Sequence, residues 1–102
     1  MSADYQKTVS EHLRITVLRL LADQVDYSLN ESLLLDLVGN FGFAPSRDRL
    51  RTELAWLAEQ GLVTLGGVDH CRVAILTPRG EDVARCRAVA PGVKRPRPGE
   101  LG

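Results

Sequence analysis

Residues 44–63, APSRDRLRTELAWLAEQGLV, constrain the fold more than any other stretch of this chain. Pro45 and Ser46 mark the entry to a helix over about residues 46–60. Ser46 is the expected N-cap, and Asp48 sits in the first turn, where the helix dipole favours an acid. Leu50, Leu54, Leu57 and Ala58 recur at helical spacing and form one apolar stripe. Gly61 is expected to end the helix in the left-handed conformation. Residues 62–65 then read as a short strand, turned by Gly66-Gly67. Away from the stripe lie Asp48, Arg51, Thr52, Ala55 and Glu59, flanked by Arg49 and Trp56. A helix with arginines and small polar groups near its N-terminus has the chemistry to enter a DNA major groove.

The remaining elements follow from the same kind of signal. A first helix is expected over about residues 4–23. Val9, Leu13, Val17 and Leu20 form one stripe, and Ile15, Leu18, Ala22 and Val25 form a second on another face. The second stripe points to a partner, most simply another copy in a two-fold dimer. The alternative is that it packs under the C-terminal helix. Ser28-Leu29-Asn30-Glu31 fits a capping box at the start of a second helix. That helix carries Leu33, Leu34, Leu37, Val38 and Phe41 and is broken by Gly39-Asn40 and Gly42. After residues 62–65 comes a flexible connection, Gly66 to His70, and a return strand over residues 71–76. There Cys71, Val73 and Ile75 alternate with Arg72 and Ala74, which predicts Cys71 on the buried side. Thr77 and Pro78 start a fourth helix as N-cap and N1, and it is expected to run to about Val89.

A chain of 102 residues has room for one domain. Residues 1–89 are expected to form it. Residues 90–102, APGVKRPRPGELG, are rich in Pro and Gly and read as a disordered basic tail. No apolar run approaches the roughly 18–20 residues needed to span a bilayer, and the N-terminus lacks a signal-peptide layout. A cytoplasmic protein is therefore expected, with Cys71 and Cys86 as reduced thiols. Formal net charge is zero, so any nucleic-acid binding must come from local charge.

The order helix, helix, helix, strand, strand, helix is that of a winged helix-turn-helix domain, mainly α with a β-hairpin. The runs LRTELAWLAEQGLVTL and AILTPRGEDVA also resemble the third helix, wing and closing helix of bacterial winged-helix regulators of the MarR, ArsR and PadR kind. The small size, acidic N-terminal half and basic tail resemble short proteins of Mu-like phages and prophages. The resemblance implies a homodimer, formed through the first helix, that binds double-stranded DNA as a transcriptional regulator or phage accessory factor. It places Ser46, Arg47, Arg49, Arg51 and Thr52 on DNA, with Arg72 and His70 on or beside the wing. Lys94, Arg95 and Arg97 would add phosphate contacts from the tail. Arginine suits the role because its planar fork pairs with guanine or phosphate. On this reading, Arg47→Ala or Arg51→Ala weakens DNA binding without lowering stability.

Asp69, Glu53 and Glu59 oppose that assignment. The arginines could instead form a solvated face with pairs such as Arg49 to Glu53. Trp56 is expected against the wing or a dimer partner. The rival function is a winged-helix module for protein–protein contact, favoured by zero net charge and the two-faced first helix. An enzyme is not expected, because the chain has no Gly-rich phosphate loop, G-x-S-x-G or H-E-x-x-H motif. No cofactor is implied. His70, Cys71 and Cys86 match no standard zinc spacing, so no metal site is expected.

Overall fold

The computed structural model describes residues 3–99. Four helices and a three-stranded antiparallel sheet follow in the order α1 (Ala3–Ala22), β1 (Ser28–Asn30), α2 (Glu31–Gly39), α3 (Arg47–Glu59), β2 (Val63–Val68), β3 (Cys71–Leu76) and α4 (Pro78–Ala84). The sheet order is β1-β3-β2, so the last strand in sequence lies in the middle. No helix among the described residues is long and apolar enough to cross a membrane.

The first helix lies at the centre of the molecule. Leu13, Val17, Leu20 and Leu21 are buried on one side, and Ile15, Leu18 and Ala22 on another. It packs on α2, α3, α4 and β3. The second stripe is thus covered within the chain, and self-association through this helix loses its basis. Val25, assigned to that stripe, lies beyond the helix end and is fully exposed.

The expected capping box is not formed. Ser28 belongs to β1, opposite Ile75, and the N-cap of α2 is Asn30, whose side chain accepts from the Leu33 N–H at 2.8 Å. Glu31 is freed from capping and is fully buried. The third helix matches expectation: Ser46 Oγ accepts from the Arg49 N–H at 3.0 Å. At its other end Gly61 has φ +73. There Leu62 N–H donates to Leu57 O and Gly61 N–H to Ala58 O, both at 3.0 Å, which closes the helix as a Schellman turn.

The hairpin is longer and tighter than its sequence implied. The strand β2 continues through both glycines to Val68, which pairs with Cys71 and leaves Asp69-His70 as the tip. In β3 the buried residues are Ala74 and Leu76, whereas Cys71 and Val73 are half-buried and Ile75 is exposed. The predicted faces are therefore reversed. Both faces of this strand are apolar, so alternation alone leaves the choice open, and a one-residue shift moves every side chain across.

Thr77 caps α4 by accepting from the Gly80 N–H at 3.0 Å, and its hydroxyl donates to Gly61 O at 2.7 Å. One residue therefore joins the ends of two helices. A Cβ at Gly80 would strike the Leu62 carbonyl, so only glycine fits beside it. The helix stops at Ala84 and not near Val89, because Cys86 takes φ +61.

The domain does not end at residue 89. Ala90 and Val93 are buried, and Lys94 N–H donates to Glu11 O at 3.2 Å. The segment lies across α1 and α3 as a strap. Pro and Gly here mark turns, such as the bond from Val93 N–H to Ala90 O, and not a solvated tail. Residues 100–102 of the expected tail lie outside the described residues.

Candidate nucleic-acid interface

Two buried carboxylates organise the arginines of α3. Glu31 and Glu53 are the charged side chains in the core, and a buried charge persists only when it is paired and hydrogen-bonded. Both conditions are met. Glu31 Oε2 accepts from Arg51 Nε at 2.8 Å and Glu31 Oε1 from Arg51 Nη2 at 2.7 Å, a bidentate pair. Oε1 also accepts from the Arg72 backbone N–H at 3.0 Å and lies 3.0 Å from Arg47 Nη1. The hydrogen bonds from Arg51 dominate. They outweigh burial and hold the Glu31 carboxyl down at about 2. Glu31 in turn raises Arg51 above its ordinary value.

Glu53 forms the second node. Its Oε1 accepts from Arg14 Nε at 2.8 Å and its Oε2 from Arg49 Nε at 3.0 Å. Burial pushes this carboxyl up, but hydrogen bonds from Arg14, Ser10 and Arg49 prevail and leave it lowered. Arg49 also donates to Ser10 Oγ at 2.6 Å and Gln6 Oε1 at 3.3 Å. The Arg49–Glu53 pair named as an alternative from spacing is therefore present. Arg14 links three elements, since its Nη1 donates to Gly92 O at 2.9 Å and its guanidinium lies 3.9 Å from the Trp56 ring centre. Trp56 thus packs against Arg14 and Gly92 of the strap, not against the hairpin.

Each expected contact residue can now be placed. Arg47 and Arg51 come together over Glu31. Arg51 Nη2 also donates to the Asp69 carbonyl at the hairpin tip, at 2.6 Å. This bond sets the hairpin tip, Asp69-His70, against α3, and Arg72 meets the cluster through its backbone N–H to Glu31. Ser46 serves the helix cap. Thr52 is exposed on α3, with its hydroxyl donating to Asp48 O at 3.0 Å. Arg49 faces α1 and is held there. Lys94, Arg95 and Arg97 do not join this cluster. Arg95 and Arg97 line a separate groove with Arg19 and Cys86, and Arg95 Nη2 donates to Cys86 O at 3.0 Å.

Glu31 and Arg14 were not identified from sequence as part of this arrangement. The residues Glu31 and Arg51 stand 20 apart and Arg14 and Glu53 stand 39 apart. Only Arg49 and Glu53, four apart on one helix, carried a local signal. Among the described residues no group of three or more His, Cys, Asp or Glu could hold a metal ion.

No family model matches the chain, and no solved structure matches it. The chain is 46% identical over 90 residues to the "Uncharacterized protein gp26" of Escherichia phage Mu, covering 88% of this chain and 93% of that protein. It is 38% identical over 76 residues to an uncharacterized protein of Haemophilus influenzae, covering 74% of each.

Proposed function

The chain belongs to the family of the phage Mu protein gp26, and we propose that it is a winged-helix protein that binds double-stranded DNA, as a phage accessory factor or transcriptional regulator. The helix α3 would enter the major groove, and the β2–β3 hairpin would be the wing beside the backbone. Element order and the sheet order β1-β3-β2 support the winged-helix assignment. A dimer through the first helix is no part of the proposal, because Leu13, Val17 and Leu20 of one stripe and Ile15, Leu18 and Ala22 of the other are buried within the chain.

One observation carries the DNA reading. The bond from Arg51 to the Asp69 carbonyl ties α3 to the hairpin tip, and Glu31 gathers Arg47, Arg51 and the backbone N–H of Arg72, so the helix start and the hairpin meet at two guanidinium groups. Two guanidinium groups over a single buried carboxylate leave positive charge facing outward. Asp48 and Asp69 oppose it. The number of phosphates engaged is therefore small.

The test is fluorescence anisotropy of labelled mixed-sequence duplexes with the folded chain at low salt. Binding that weakens as salt rises supports the proposal. A folded chain that binds no duplex rejects it. That outcome favours a protein-contact module, for which the exposed Leu33 and Phe41 on and just beyond α2 are the specific observation.

A further inference from the structure

We infer that the two arginines over Glu31 divide the work on DNA: Arg47 reads a base edge, and Arg51 holds one phosphate oxygen while fixing the hairpin. The inference rests on the DNA reading proposed above and deepens it by assigning the specificity-determining residue.

Donor bookkeeping separates the two side chains. A guanidinium has five N–H groups. Arg51 commits Nε and one hydrogen of Nη2 to Glu31, and the other hydrogen of Nη2 to the Asp69 carbonyl. Only Nη1 remains. Bidentate reading of guanine takes two adjacent nitrogens, Nε with Nη2 or Nη1 with Nη2, and both edges need Nη2. Arg51 is thus left with a single nitrogen, which suits one phosphate oxygen. Moving it would leave Glu31 short of its main partner in the core.

Arg47 is held differently. Its Nη1 lies 3.0 Å from Glu31 Oε1, and its Nη2 donates to Ser32 Oγ at 3.1 Å. That leaves Nε and one hydrogen on each terminal nitrogen. Its side chain is 41% exposed against 31% for Arg51. If Arg47 turns outward, Glu31 keeps the bidentate Arg51 and the Arg72 N–H. Arg47 is also the first residue of α3, and the N-terminal residues of a recognition helix are those that meet base edges. Glu31 is then a positioning residue: it fixes one arginine and releases the other.

The experiment selects a preferred duplex with the wild-type chain. It then measures affinity for that duplex and a scrambled one, for wild type, Arg47→Ala and Arg51→Lys. Melting curves in the same buffer establish folding. Arg47→Ala lowers affinity for the selected duplex on the order of 10- to 100-fold and for the scrambled one by less than about 3-fold. Arg51→Lys, which keeps charge but not the fork, weakens both by the same factor. Equal losses on both duplexes for Arg47→Ala overturn the inference, and so does loss of preference in Arg51→Lys. If Arg51→Lys does not fold, the Arg47→Ala arm still decides. A wild type that binds DNA without any sequence preference overturns this inference and leaves the DNA reading standing. A wild type that binds no DNA removes both.

Discussion

Glu31 is the residue on which stability and the candidate surface both depend. It is fully buried and joins α2 to α3 and β3 through Arg51, Arg47 and the Arg72 N–H. Glu31 is the buried partner, and the arginines left behind by its removal are 31% and 41% exposed and can meet water, so the cost is that of broken charge-assisted hydrogen bonds, about 1–3 kcal/mol. Glu31→Gln should therefore lower stability by about that amount in chemical denaturation. The pH dependence has a definite sign. The folded carboxyl is depressed to about 2 from 4.5, so its contribution is complete above pH 4.5 and is lost as pH falls toward 2. Wild type should lose stability across that window, and Glu31→Gln should lose less. Equal slopes for the two proteins would contradict the assignment. None of this was legible locally, because Glu31 sits four residues after Asp-Tyr in a stretch that also fits a capping box. Asn30 is the cap because β1 runs through it and α2 begins at Glu31, which leaves Ser28 two residues back within the strand.

At the scale of elements, the parts legible in sequence were those with short-range causes. Ser46, Gly61, Thr77 and Pro78 mark helix ends through bonds within a few residues, and each stands where its chemistry placed it. The three-residue β1, the inward face of β3 and the C-terminal strap depend on distant partners, and local pattern did not reveal them. Gly80 illustrates the boundary between the two. The Thr-Pro-x-Gly run predicts a helix start, but the need for glycine comes from the Leu62 carbonyl on another element. Gly80→Ala should destabilise by about 1–3 kcal/mol, the usual cost of overpacking, measured as a shift in denaturation midpoint. No change would show that the two elements can separate freely. The strap carries its own expectation. Deleting residues 90–102 removes buried Ala90 and Val93 and uncovers Trp56. The shortened chain should lose at least about 2 kcal/mol, since burying one valine is worth about 1.5–3 kcal/mol. Its tryptophan emission should shift to the red. A shortened chain as stable as the whole would return the segment to the role of a tail.

For the whole molecule, a net charge of zero forces any DNA contact to be local. The second basic group, at Arg95 and Arg97, lies in a different groove from Arg47 and Arg51. On the proposed reading, the surface at α3 and the hairpin acts without it and would neutralise about two to four phosphates, at a slope of about −0.9 per phosphate. The measurement that tests this most directly is duplex affinity of the wild-type chain as a function of salt concentration. A plot of log affinity against log salt should fall with a slope of about −2 to −4. A folded chain with no duplex binding at low salt, or with binding that salt does not weaken, would contradict the account.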